Sequence, residues 1–218
     1  DLFVLADEIY EHINYVGKHE SIAQFEGMKE RTIIVNGVSK AYAMTGWRIG
    51  YIAAPEWIVK GCNKLQGQYT SGPCSVSQKA AEFAYTADQS CVEEMRLAFE
   101  RRRNLIVELA KDIPGLEVNV PEGAFYLFPK CSSFYGKSNG ETTINNSTDL
   151  AMYLLEKGHV ATVGGDAFGD SECFRMSYAT SDENIIEAMR RIKNALAELK
   201  STIFFAKTAI IKISRLLS

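Results

Sequence analysis

With 218 residues the chain is long enough to bury a core as one large domain or two small ones. Its 46% hydrophobic content, with no segment both polar and low in complexity, excludes global disorder. A net charge of -3 offers nucleic acid no basic field, and no nucleic-acid-binding motif accompanies the scattered Lys and Arg.

The chain opens at Asp1, without Met or a charged leader, and reads as cut from a longer protein. Leu2 to Ala6 is a short apolar run of the kind that forms a strand covered on both faces, and it stops at Asp7-Glu8. Thr32 to Val35 repeats the pattern and leads through Asn36-Gly37 to Ser39-Lys40. A third strand is expected over Ile49 to Ala54, closed by Pro55. Ligands of open α/β sheets gather at the carboxyl ends of strands, so Asp7 and Lys40 are candidates for one crevice.

Helices are expected from Glu56 to Gln68, from Ser75 to Ala87, and onward from the capping box Ser90-Cys91-Val92-Glu93. On the last of these, Val92, Met95, Phe99, Ile106 and Leu109 share a face, and Glu100 to Arg103 are expected to face water. Pro114-Gly115 ends it. Short strands follow over Leu116 to Val120, Ala124 to Pro129, Val160 to Gly164 and Phe174 to Ala179, with helices over Ser147 to Lys157 and Ser181 to Lys200. Residues 131–146, rich in Ser, Asn, Gly and Thr, read as an exposed loop.

This pattern predicts an α/β chain with one domain over 1–113, a smaller α+β domain over 114–200, and a tail over 201–218. The tail carries Lys207, Lys212 and Arg215 and no acid. It reads as a packing extension or a non-native appendage in preference to a membrane-surface helix, and its apolar runs are too interrupted to span a bilayer. Five cysteines, odd in number and without a C-x-x-C pair, suit a reducing cytosol. His12, His19 and His159 lack ligand spacing, so no metal site is expected.

The informative segment runs from Gly37 to Gly50, Gly-Val-Ser-Lys-Ala-Tyr-Ala-Met-Thr-Gly-Trp-Arg-Ile-Gly. A lone Lys after a strand is ordinarily solvated, and a lone Arg ordinarily belongs to a surface pair. Here Ser39 sets a hydroxyl beside the Lys40 amine, Gly46 and Gly50 permit close backbone approach, and Arg48 brings a planar fork suited to phosphate oxygens. Together they describe an aldehyde-binding amine next to a phosphate cup. Asp7 has a turn or cap at the strand end as its ordinary explanation, Tyr10 a core aromatic. Arg175, in the strand-like stretch Phe174 to Ala179, needs an anionic partner if buried, from a ligand or from an internal Asp or Glu.

Every position of the Gly37 to Gly50 segment resembles the cofactor-attachment pattern of class I and II aminotransferases, which carry pyridoxal 5'-phosphate in a fold of type I. The resemblance extends through Asp7-Glu8-Ile9-Tyr10, Pro121-Glu122-Gly123-Ala124-Phe125-Tyr126 and Phe174 to Ala179, and so covers nearly everything but the tail. It implies that residues 1–113 are the later part of a cofactor-binding large domain whose earlier part is missing. Lys40 would hold the cofactor covalently, and Ser39 and Arg48 its phosphate. Asp7, as a buried carboxylate, would keep the ring nitrogen protonated, and Tyr10 would bond the ring oxygen. Arg175 would hold the substrate carboxylate. Gly164 to Gly169 would be a flexible segment near the substrate, and the polar stretch Gln66 to Ser77 would lie near the phosphate and a dimer contact. The segments look most like bacterial aspartate aminotransferases, implying amino transfer from aspartate to 2-oxoglutarate in a cytoplasmic homodimer. A broad-range or aromatic enzyme, or a non-catalytic fragment, stays open.

Overall fold

In a computed structural model of the chain, residues 2–201 are described. The chain divides into two compact bodies, Asp1–Ala98 with Glu122–Ala124, and Phe99–Pro121 with the chain from Phe125 onward. The division falls inside a continuous helix, whereas the sequence reading set the change where that helix stops, near Pro114-Gly115.

In the first body, strand β1 (Val4–Asp7) pairs in parallel with β2 (Thr32–Gly37), and β3 (Gly50–Ala53) joins β2 antiparallel. The sheet is thus mixed, because the turns after β2 bring the chain straight back along it. Gly37 opposes Gly50, and a Cβ on Gly37 would lie 2.7 Å from the Ile49 carbonyl oxygen, so this close approach requires glycine. Helices α1 (Glu56–Tyr69) and α2 (Ser75–Thr86) each start after a proline, Pro55 and Pro73. Helix α3 (Ser90–Lys111) starts on Asp88, whose carboxylate accepts the Ser90 amide and hydroxyl; Ser90 thus spends its side chain on Asp88, where a capping box had been expected.

The second body carries the core. It contains the sheet β4 (Tyr126–Leu127), β7 (Phe174–Ser177) and β6 (Val163–Gly164), with β7 in the middle. Helices α4 (Ser147–Gly158) and α5 (Asp182–Glu198) pack with it, and β5 (Lys137–Ser138) pairs with β8 (Lys200–Ser201). Along α5 the buried residues Ile185, Met189, Ile192, Ala195 and Leu196 recur at helical spacing, and Ser181 caps it by accepting the Asn184 amide. They join Leu127, Leu150, Leu154, Phe174 and Tyr178 in one apolar cluster. By contrast, the buried apolar residues of the first body are only Ile13, Val38, Ala41, Ala81 and Val92 among the described residues.

Three expectations are corrected. Leu116 to Val120 is no strand; among the described residues Glu117 makes a single bridge to Lys130, and Pro121, which would oppose Tyr126 in that register, has no amide hydrogen with which to lengthen the ladder. Residues 131–146 are not an exposed loop, because Cys131, Phe134 and Ile144 anchor them in the core and β5 lies within them. Arg103 does not face water. It is 9% exposed, with its stem packed and its guanidinium donating to the Pro121 carbonyl at 2.9 Å. Apart from Ser201 in β8, the tail reading concerns residues outside the described ones. Among the described residues no helix is long and apolar enough to cross a membrane.

The five cysteines are free, and their surroundings predict two reactivity classes. Burial pushes the Cys131 and Cys173 thiols up to about 11, whereas the amides of Ser77 and then Val76 hold the exposed Cys74 thiol below its ordinary range. A raised value leaves less thiolate at pH 8 and a lowered one more. The native chain should therefore titrate three thiols (Cys62, Cys74 and Cys91) with a disulfide reagent, Cys74 fastest, and all five in denaturant. Rapid native modification of Cys131 would contradict the packing described.

Candidate active site

β1 and β2 run in parallel, so their carboxyl ends open on one edge, where Asp7 ends β1 and Gly37 ends β2. The polypeptide after each strand is tied down locally. The Asp7 carboxylate accepts the Ile9 amide at 3.2 Å, and Glu8 continues the ladder by donating its amide to the Val35 carbonyl at 2.9 Å. Glu11 accepts from the Asn36 side-chain amide at 2.8 Å, which lashes the loop bearing Tyr10 to the end of β2. Lys40, three residues past β2, brings its Nζ to 5.8 Å from the centre of the Tyr10 ring.

Beyond Lys40 the chain folds back in tight turns. Ala43 donates its amide to the Lys40 carbonyl at 3.2 Å, and the Thr45 hydroxyl donates to the Ser39 carbonyl at 3.0 Å. Arg48 ends this run in the left-handed region at φ 56°, its guanidinium donating to the Thr45 carbonyl at 2.9 Å. The return sets Ser39 and Arg48 on one pocket of about 190 Å³, together with Gly37 and Gly50. Asp7 and Tyr10 line a neighbouring stretch of surface, a pocket of about 340 Å³ shared with Glu8 and Glu11. Five of the six sequence candidates thus occur in the first body around the ends of β1 and β2. Asp7 departs from expectation in one respect, since it is exposed where a buried carboxylate was expected; it is the last residue of an edge strand with a neighbour on one side only.

Arg175 lies in the second body. β7 alternates, with Phe174 and Met176 buried and Arg175 half-buried on the opposite face. Among the described residues no carboxylate or carbonyl takes a hydrogen bond from its guanidinium. Instead the rings of Phe168 and Tyr126 lie 4.0 Å and 4.3 Å from the guanidinium carbon, centroid to carbon. The internal acid partner considered from sequence is absent there.

Sequence reasoning missed the supporting groups. Glu8 is buried, accepting from the Ser21 hydroxyl at 2.7 Å and lying 3.0 Å from His19 Nε2. With Glu11 these groups gather ligand-type atoms within 4.8 Å, where no metal spacing was read; the hydrogen bonds to Ser21 and Asn36 account for the grouping. The signal available was the run Asp7-Glu8 with Glu11 at a strand end, too acidic for a simple turn. The segment expected to be flexible, Gly164 to Gly169, contains a 3-10 turn over Gly165–Phe168, with the Gly165 amide donating to the Cys173 carbonyl and the Gly169 amide to the Asp166 carbonyl.

The description aminotransferase class I and II matches residues 1–192 of this chain. The chain belongs to that family. A bifunctional aspartate aminotransferase and glutamate/aspartate-prephenate aminotransferase of Petunia hybrida is 50% identical over 204 residues, which is 91% of this chain and 43% of the relative. The crystal structure of an aspartate aminotransferase from Rhizobium meliloti superposes with a TM-score of 0.86 at 47% identity, covering 91% of this chain and 50% of that one. An aromatic aminotransferase from Pyrococcus horikoshii gives a TM-score of 0.82 at 41% identity, covering 91% and 52%. The chain therefore spans about half the length of the curated aminotransferases it matches.

Proposed function

We propose that this chain carries the cofactor-anchoring and carboxylate-binding residues of a pyridoxal-phosphate-dependent aminotransferase. Its substrates are an amino acid, aspartate first, and a 2-oxo acid, 2-oxoglutarate first. The observation that carries the reading is the gathering of Asp7, Tyr10, Ser39, Lys40 and Arg48 around the carboxyl ends of β1 and β2. The donor set suits the group: an amine for an aldehyde, a hydroxyl and a guanidinium for a phosphate, a carboxylate for a ring nitrogen and a phenol for a ring oxygen. When bound, pyridoxal phosphate supplies an electron-withdrawing ring that stabilises negative charge at the amino acid's Cα.

The chain's own residues then divide the work. The Lys40 amine anchors the cofactor and, once released, takes and returns the Cα proton as general base. Asp7 holds a proton at the ring nitrogen, and the Tyr10 hydroxyl donates to the ring oxygen. Ser39 and Arg48 bind the phosphate, and Arg175 offers its fork to the substrate's carboxylate. The five free thiols, two of them buried, go with a reducing cytoplasm, and a homodimer is inferred from the family alone.

A second reading, a stretch without turnover of its own, is favoured by the half-length match and by the exposure of Phe3, Leu5, Trp57, Leu65 and Phe83 in the first body. One experiment decides between them. Adding pyridoxal phosphate to the 218-residue chain should produce a visible absorption band that borohydride removes, leaving the label on the Lys40 peptide. No band supports the second reading, and a label on other lysines alone overturns the first.

A further inference from the structure

We propose that Phe168 and Tyr126 are positioning residues that clamp the Arg175 guanidinium and hold its donor edge ready for a carboxylate. This rests on the reading of Arg175 given above and deepens it. A guanidinium has two apolar faces, and all five of its N–H donors lie in its plane. Ring centroids at 4.0 Å and 4.3 Å from the guanidinium carbon are within stacking distance, and stacking on the faces would leave the donor rim open. The ring quadrupoles offset part of the cost of half-burying the cation, so no internal carboxylate is needed and the donors stay unspent among the described residues.

The clamp is itself built in. Tyr126 is fixed on β4, paired with Ser177 of β7, and Phe168 closes the 3-10 turn that follows β6. That turn is anchored at its base, where the Gly165 amide donates to the Cys173 carbonyl at 2.9 Å and to the buried Ser147 hydroxyl at 3.0 Å. It is closed by the Asp170 amide donating to the Gly165 carbonyl at 3.2 Å. Phe128 meets Phe168 edge-on with ring centres 6.1 Å apart. A flexible arginine would lose rotamer freedom on meeting its ligand, whereas this one is already placed.

The test follows the arginine Nε–Hε signals of the 218-residue chain by NMR while succinate is added. In the unliganded protein the Arg175 signal should be shifted upfield by the two rings, and succinate should move it. Phe168→Leu should abolish the ring shift and weaken succinate about tenfold, and Phe168→Tyr should restore both. Tyr126→Leu provides the same comparison if Phe168→Leu fails to fold, and an unshifted wild-type signal overturns the clamp without any variant. Arg175→Lys separates the two claims. If it leaves succinate binding intact, or succinate never moves the Arg175 signal, the carboxylate reading falls. If it abolishes binding while both Leu variants bind normally, only the clamp falls.

Discussion

Lys40→Ala should give a folded protein in which borohydride traps no cofactor and amino transfer is lost. The ε-amine lies 5.8 Å from the centre of the Tyr10 ring, and its neighbour in sequence, Ser39, lines a pocket with Arg48. On the proposed reading of Lys40, two separate contributions would vanish together: covalent anchoring and the proton transfer at Cα. General base catalysis alone is worth about a hundredfold to ten-thousandfold. Any turnover that depends on this chain should therefore fall by at least that factor even with the cofactor in excess. Lys40 is half-buried and ends no element, so the thermal midpoint should move little. Mass spectrometry of the reduced protein, with circular dichroism as the folding control, reads both parts. Wild-type trapping in the Ala variant would falsify the assignment of Lys40.

Gly165→Ala should be the most damaging one-carbon addition in the second body. A Cβ there would lie 2.0 Å from the Asp170 carbonyl oxygen and 2.3 Å from that of Cys173. Both obstacles are backbone atoms in a hydrogen-bonded turn, so relief requires moving the turn or the start of β7. Overpacking of this kind costs roughly 3 kcal/mol, which for a body of this size lowers the melting temperature by some 12 to 20 °C. Gly158→Ala is the matched control, because its Cβ would meet the Ala195 Cβ at an ordinary 3.7 Å within α4. It should be neutral or slightly stabilising. Equal melting curves for the two variants would remove the steric argument.

Much of this architecture is readable from residues alone where a period or an apolar run is unbroken. β1, β2 and the five helices follow from Leu2 to Ala6, Thr32 to Val35, and apolar positions at helical spacing. The stretch 131–146 misleads because its three anchors, Cys131, Phe134 and Ile144, are unevenly spaced amid polar residues, and no periodic pattern exposes them. Arg103 misleads because charge predicts exposure, whereas a carbonyl at Pro121 happens to be within reach. At the site, Ser39, Lys40 and Arg48 are legible because one short segment holds all three. The rings around Arg175 are not, since Tyr126 and Phe168 arrive from other elements and an aromatic in a sequence reads as core. The Glu8, Ser21 and His19 network is hidden for the same reason, being assembled across a loop.

The left-handed backbone at Arg48 sets chemistry against foldability. At φ 56° an L side chain costs about 1–2 kcal/mol that glycine would not incur. A protein engineer ranking substitutions by thermostability would promote glycine at this site, and, on the proposed role of Arg48, the gain in melting temperature would come with an anion cup stripped of its cation. On that reading a helpful stability score points away from catalysis.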